Sequence, residues 1–107
     1  MTAATKTLPG MSAAHAAEHE RLLTRVEAHR DDVPCLGPDA GRWLSDDKHD
    51  QAAAATACLA CPILVPCRAY AVRNGEDGAV YGGQRPRELT TQHRHYRAAL
   101  DDLGDAA

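Results

Sequence analysis

The pattern of hydrophobic and polar positions along the chain predicts helices separated by short irregular segments. A first helix follows Ser12, a residue type preferred at helix N-caps, and continues to about Arg30 through residues of high helix propensity. Its apolar positions Leu22, Leu23 and Val26 recur with helical spacing. This segment is therefore predicted to be a helix with an apolar strip.

Three more helices are predicted from the capping residues, prolines and glycines that mark helix ends. Their extents are from a cap at Ser45 or Asp46 to Cys58, from Cys67 to about Asn74, and from Arg87 to about Leu103. On the last helix the apolar side chains are spaced to share roughly one side: Leu89, Tyr96, Leu100 and Leu103. Only residues 79–83 are predicted to be extended. The predicted fold class is all-α, a small bundle of about four helices.

A chain of 107 residues is predicted to be one small domain, residues 12–104, between tails at 1–11 and 105–107. Its hydrophobic core is thin, because Leu, Ile, Val and Phe together supply only 16 residues and alanine supplies much of the rest. Trp43, the only tryptophan, is predicted to anchor that core. Conformational entropy opposes folding by ~1.5 kcal/mol per ordered residue. A metal centre, disulfides or a partner would supply the missing stability.

The four cysteines follow the pattern Cys35-x22-Cys58-x2-Cys61-x5-Cys67. Four thiolates can close a tetrahedral zinc site or ligate one iron–sulfur cluster. Zinc modules usually supply two paired knuckles, whereas a cluster accepts irregular spacing because its irons lie at separate corners. The spacing favours a cluster only modestly. A zinc-stapled interaction domain stays open, as does a disulfide reductase that uses Cys58 and Cys61.

The chain shows no stretch with the length and apolarity of a membrane span, and residues 1–10 lack the apolar region of a secretory signal. We therefore expect a cytoplasmic protein with no membrane partner, in a compartment that keeps thiols reduced. His15 and His19 lie one helical turn apart. Because no third ligand is near them in sequence, both are expected to be solvated.

Although the net charge of the chain is −3, the chain contains a short basic segment. Residues 84–97 contain four arginines and one glutamate, whereas acidic residues predominate on either side. The arginines are Arg85, Arg87, Arg94 and Arg97. Such a segment can contact a phosphate backbone or an acidic protein surface, and it is equally compatible with a solvated helix face.

The chain contains, in order, one cysteine, a long gap, the motif C-x2-C-P-x4-C and then a glycine-rich turn. The order of these features resembles that in the WhiB-like transcriptional regulators of actinobacteria and their phages. The matching turn is Gly78-Ala79-Val80-Tyr81-Gly82-Gly83, and the resemblance covers a core at residues 35–88. The turn departs from the family pattern in two ways. Tyr81 replaces the usual tryptophan, although it keeps a flat apolar ring with a polar end, and Ala79 is inserted.

The resemblance implies a non-enzymatic regulator with a 4Fe-4S cluster, around which the helices fold. The implied cluster ligands are Cys35, Cys58, Cys61 and Cys67. Family members respond to oxygen or nitric oxide, can form intramolecular disulfides on cluster loss, and dock on the C-terminal domain of the principal sigma factor of RNA polymerase. The residues expected at that interface are Trp43, Val80, Tyr81, Gly82 and Gly83. Promoter DNA contacts are expected from Arg85, Arg87, Arg94 and Arg97, with weak, salt-dependent affinity because no dense basic tail follows.

Overall fold

The computed structural model describes residues 11–105, with side chains to residue 104, and within this range the chain forms four α-helices. They are α1 (Ala13–Ala28), α2 (Lys48–Cys58), α3 (Leu64–Asn74) and α4 (Pro86–Asp105), with 3-10 helices at Arg30–Asp32, Pro34–Leu36 and Ala40–Leu44. The described residues contain one isolated antiparallel bridge, Tyr81 to Gln84, and no strand. The predicted all-α class is confirmed. The predicted tail residues 1–10 and 106–107 lie outside the described range, and the domain bounds stay a prediction.

The ends of α1 and α3 follow from local capping chemistry. Ser12 caps α1 as predicted, since its hydroxyl accepts a hydrogen bond from a first-turn backbone N–H at 3.0 Å. Gly75 ends α3 as predicted, with a φ of 66° that glycine adopts without steric cost. The predicted start of α3 at Cys67 is wrong, because the helix begins at Leu64. Pro66 fits inside this first turn, where no intrahelical N–H bond is needed.

Asp47 caps α2, so the prediction of a cap at Ser45 or Asp46 is wrong. The Asp47 carboxylate accepts hydrogen bonds from the backbone N–H groups of His49 and Asp50 at 2.8 and 3.0 Å. It can do so because Asp47 directly precedes the first helical residue. Ser45 supports this cap instead, since its hydroxyl accepts from the Asp47 backbone N–H and donates to Asp50.

Two small apolar clusters form the core, and cysteines border both. The larger cluster joins α1, α3 and α4 and consists of Leu22, Val33, Ile63, Tyr70, Ala71 and Leu89. The smaller cluster consists of Trp43, Ala54, Cys58 and Val80. Cys35 packs against both clusters. Trp43 is buried, which confirms its predicted place in the core.

The last helix, α4, is much longer than the helix it packs against. Its 20 residues span about 30 Å, whereas the 11 residues of α3 span about 16 Å. Only the first part of α4 is therefore covered: Leu89 is 1% exposed, but Leu100 and Leu103 are 44% and 68% exposed. Even α4, like the other helices in residues 11–105, lacks the combination of length and apolarity needed to cross a membrane.

Candidate metal centre

Different pieces of backbone carry the four cysteines. Cys35 lies in a 3-10 helix and Cys58 is the last residue of α2. Cys61 lies in the turn between α2 and α3, and Cys67 lies near the start of α3. All four side chains line one cavity of about 360 Å³. The structure thus gathers the predicted ligands around one space, while their role as ligands stays a prediction.

The cavity fits a cluster better than a single ion. Its wall is mostly apolar and includes Leu22, Val26, Val33, Ile63 and Leu64. All four cysteines are free thiols. Among residues 11–105, no group of three or more His, Cys, Asp or Glu side chains is placed to hold one metal ion. Thiols that surround a cavity, rather than one point, suit a cluster whose irons lie at separate corners.

Burial raises the pKa of three of these thiols. The pKa of Cys67 is raised to about 12, chiefly because the side chain is desolvated. Desolvation is also the main cause of the raised pKa of Cys35 and of Cys61, and the nearby Cys58 adds to it. A positively charged metal centre would offset this desolvation and favour the thiolates.

Trp43 connects the cysteine site with the chain segment that precedes α4. Its indole Nε1–H donates a hydrogen bond to Cys58 Sγ at 3.3 Å, in a buried position. Its backbone carbonyl accepts a hydrogen bond from the Val80 N–H at 2.9 Å. Trp43 therefore contacts one candidate ligand through its ring and the segment before α4 through its backbone.

The glycine turn, defined here as residues 81–84, packs closely against α3. Gly82 and Gly83 have φ values of 55° and 77°, a conformation that residues with a Cβ rarely adopt. A Cβ added at Gly82 would collide with the backbone of Arg68. The Arg68 Nε–H donates to the Gly82 carbonyl at 2.8 Å, and the nearby Gly82 backbone N–H partly offsets the rise in the pKa of Cys67. The turn is thereby held against the cysteine site.

The five residues expected at a protein interface differ in accessibility. Trp43 and Val80 are 6% and 4% exposed, and Gly82 is also buried. Tyr81 and Gly83 are half-buried. A partner on this face would therefore touch Tyr81 and Gly83, while the other three would act from below the surface. Their part in an interface stays a prediction.

Three exposed leucines at the cavity were not among the predicted interface residues. Leu23, Leu36 and Leu44 line the cavity and are 50%, 51% and 74% exposed. No sequence signal separates them from core residues, because Leu23 lies in the predicted apolar strip of the first helix and Leu44 directly follows Trp43. We call these three residues the leucine rim.

His15 is hydrogen-bonded between helices, so the expectation that it is solvated is wrong. Its Nε2 lies 3.0 Å from the Tyr70 hydroxyl, which donates to Glu76 at 2.9 Å. His19 also packs near Tyr70, with the ring centroids 5.9 Å apart. Both histidines lie on the side of α1 that faces α3, a placement that sequence spacing within one helix does not reveal.

The four arginines predicted to contact DNA are all exposed. Arg87, Arg94 and Arg97 belong to α4, and their spacing of seven and three residues places them on one side of it. Arg85 immediately precedes the helix and pairs with Glu88 at 3.1 Å. The structure thus presents a cationic strip, and its contact with DNA stays a prediction.

Comparisons with known proteins point to one family. A family model described as "Transcription factor WhiB" matches residues 29–94, more than half of the chain. The chain is 35% identical over 52 residues to "Probable transcriptional regulator WhiB7" of Mycobacterium tuberculosis, from strain ATCC 25618 / H37Rv and from strain CDC 1551 / Oshkosh. The aligned region covers 49% of this chain and 56% of each relative, so the chain spans about half the length of the curated relatives it matches. No solved structure matches the chain.

Proposed function

The chain belongs to the WhiB family of transcription factors, and we propose that it is a redox- or nitric-oxide-responsive regulator with a 4Fe-4S cluster on its four cysteines. It would act through the principal sigma factor of RNA polymerase, with weak promoter contacts from the arginines of α4. The observation that carries this proposal is that all four thiols line one apolar cavity of about 360 Å³.

The chain's own residues supply what such a centre requires. When bound, a cluster of this type provides iron that reacts with oxygen or nitric oxide. The protein provides four thiols, an apolar wall that limits solvent access, and a hydrogen-bond donor to the sulfur of Cys58. The cysteine segments are otherwise held by two small apolar clusters. Ligation at four points would hold these segments together and preserve the surface around the cavity.

The two alternative functions receive less support. A disulfide reductase needs an accessible thiol of lowered pKa, whereas Cys58 is 6% exposed and burial raises the pKa of Cys61. A zinc staple needs its ligands around one point, and residues 11–105 present no group of three or more so placed.

Anaerobic absorption spectroscopy with iron and sulfide analysis tests the cofactor. We expect brown protein with about four irons and four sulfides per chain. Cys58→Ala should lose the visible absorption, whereas Leu59→Ala, a change at a neighbouring side chain that is 64% exposed, should retain it. A colourless, zinc-loaded protein would overturn the cofactor assignment. Insulin reduction by the apo protein, abolished in Cys58→Ala, would favour the reductase.

We propose that the leucine rim and Tyr81 together form the surface that contacts the sigma factor. Exposed leucines gathered at the mouth of one cavity form an apolar patch of the kind that marks protein interfaces. Tyr81 adds an amphipathic ring, and aromatic residues are enriched at the energetic centres of interfaces. The buried Trp43 and Val80 would support this surface without contributing much contact area.

Anaerobic binding to the isolated sigma-factor C-terminal domain tests this surface. Leu44→Ala and Tyr81→Ala should each weaken binding by about tenfold, the loss expected on truncating an interface side chain worth ~1.4 kcal/mol. Val65→Ala is the matched control, because Val65 and Leu44 are both 74% exposed but Val65 does not line the cavity. If Leu44→Ala and Tyr81→Ala bind as tightly as the wild type and the Val65→Ala control, the contact lies elsewhere.

A further inference from the structure

The indole of Trp43 is the one side-chain group that donates a hydrogen bond to a cysteine sulfur among the described residues. The side chain is buried, with the whole residue only 6% exposed. A buried indole N–H needs an acceptor, because leaving it unpaired costs free energy. The acceptor is Cys58 Sγ, at 3.3 Å.

Packing and backbone bonding hold the donor in position. Trp43 packs with Ala54, Cys58 and Val80 in the smaller apolar cluster. Its carbonyl accepts the Val80 backbone N–H at 2.9 Å, which fixes the 3-10 helix of residues 40–44 against the segment that leads into the glycine turn. The indole N–H is therefore held in a direction that points at Cys58.

We propose that Trp43 is a positioning residue that raises the reduction potential of the metal centre through its hydrogen bond to Cys58. This inference rests on the cluster proposed above. One-electron reduction adds negative charge that is shared with the ligand sulfurs, so a fixed N–H donor stabilises the reduced state more than the oxidised state. The bond lies in a buried site, where low dielectric strengthens this preference.

The Trp43 donor can be removed separately from the backbone groups near the cysteines. The Gly82 backbone N–H, which favours the Cys67 thiolate, is present with every residue type except proline at that position. The Trp43 donor belongs to a side chain, so a substitution can remove it while the ring remains. The identity of residue 43 therefore sets the potential without changing the ligands.

Spectroelectrochemical titration of the anaerobically purified, cluster-loaded full chain tests the proposal. Trp43→Phe keeps an aromatic ring but has no N–H. Replacing Trp43 with 3-benzothienylalanine, which substitutes sulfur for the N–H in a ring system of nearly the same shape, removes the donor with the smallest change in packing. Both should lower the potential, by about 59 mV if the loss changes the one-electron equilibrium tenfold.

A packing control separates this effect from loosening of the cluster. Leu89→Ala removes apolar volume from the larger cluster, at a side chain that does not line the cysteine cavity, and leaves the indole N–H in place. It should lower the thermal midpoint while leaving the potential near that of the wild type. A benzothienyl variant with wild-type potential, or an equal fall in Leu89→Ala, would overturn the role of Trp43. A wild-type protein that binds no cluster would instead overturn the proposed function, and this inference with it.

The apo protein gives a second readout that needs no cofactor. Trp43 is the only tryptophan, so its fluorescence reports this site alone. A thiol in contact with an indole quenches its emission. Cys58→Ala should therefore raise the fluorescence yield of the apo protein, whereas Cys67→Ala should leave it near the wild-type value. Equal yields in both variants and the wild type would contradict the contact on which the proposal depends.

Discussion

Gly82 lies where the glycine turn meets the first part of α3, with no space for a side chain. Its φ of 55° is unfavourable for residues with a Cβ, and a Cβ would meet the Arg68 backbone. Backbone atoms of a helix cannot move aside as a flexible side chain can. Both effects act at a residue whose backbone N–H favours the Cys67 thiolate.

We predict that Gly82→Ala lowers the free energy of unfolding by about 3 kcal/mol, from left-handed strain and the collision with α3 together. Urea denaturation of wild-type and variant protein measures the change. Gly78→Ala is the control, because an added Cβ there meets nothing within 4 Å and the φ of Gly78 is not positive. Equal stability of the Gly82 and Gly78 variants would show that the turn can move away from Arg68.

The structural roles of individual residues could be predicted where local chemistry determines them. The cysteines and the glycine pair follow from spacing and motif, and Ser12 follows from the chemistry of a helix start. Asp47 and His15 were missed for different reasons. The choice among Ser45, Asp46 and Asp47 depends on the exact first residue of α2, and the partner of His15 is brought in by α3, far away in sequence.

At the level of elements, an ion pair ties α1 to α3. Arg73 donates to Glu18 with a shortest N–O distance of 2.9 Å, and the Asn74 side chain adds a bond at 3.2 Å. These bonds, chiefly that from Arg73, lower the pKa of Glu18 below its ordinary value of 4.5. The Glu18 side chain is 22% exposed but that of Arg73 is 45% exposed, so solvent screens much of the attraction between them.

We predict that this pair stabilises the fold by about 1 kcal/mol above pH 5 and that the contribution disappears on acidification. The folded carboxyl has the lower pKa, so stability is present above the unfolded value of 4.5 and is lost as the pH falls through the folded value. Glu18→Gln should lower stability at pH 7 and flatten this acid dependence, measured by urea denaturation across pH. Glu20→Gln is the control, since Glu20 makes no ion pair among the described residues. A wild-type pH profile in Glu18→Gln would refute the prediction.

The cationic strip of α4 leads us to a separate prediction about the salt dependence of DNA binding. Each phosphate contact contributes about −0.9 to the slope of log affinity against log salt concentration. Replacing both Arg94 and Arg97 with alanine should therefore reduce the magnitude of that slope by about 1.8, measured by fluorescence anisotropy with promoter DNA. Arg30→Ala removes an exposed arginine from outside α4 and should leave the slope nearly unchanged. An unchanged slope in the double variant would exclude α4 as the phosphate contact.

Helix ends were predictable where a glycine or proline marks them, and the structure of a segment was less predictable where packing against the core determines it. Gly75 stops α3 and Pro86 opens α4, and both signals are local. The turn-forming residues between α1 and α2 predict an irregular segment, yet part of it forms 3-10 helices. Their position is stabilised by the packing of Trp43, and of Val33 between the first two, into the core, which local propensity does not encode.

For the whole molecule, the thin core and the cysteine site are adjacent, because the cysteines border both apolar clusters. The larger apolar cluster has six buried members and the smaller has four, and Cys35 packs against both. Hydrophobic composition predicted that the core would need support, and the cysteine spacing predicted where the support would lie. The projecting end of α4 could not be anticipated, because its apolar spacing resembles that of a packed helix.

Loss of the proposed cluster should therefore destabilise the entire fold. With the cluster bound, four points of attachment join both apolar clusters, so binding free energy becomes folding free energy. We predict that anaerobic chelation lowers the thermal midpoint by at least about 10 °C, which for a domain of this size corresponds to ~2 kcal/mol. Circular dichroism at a helix band measures both the midpoint and the helix content.

The control for this experiment is Cys67→Ala treated in the same way, because a chain that cannot complete the ligand set should not respond to the chelator. A wild-type apo protein with unchanged helicity and midpoint would show that the apolar clusters suffice alone. The cluster would then act only as a sensor at the surface that binds the partner. If the midpoint falls as predicted, sensing and folding share one mechanism, since cluster damage would remove the surface on which regulation depends.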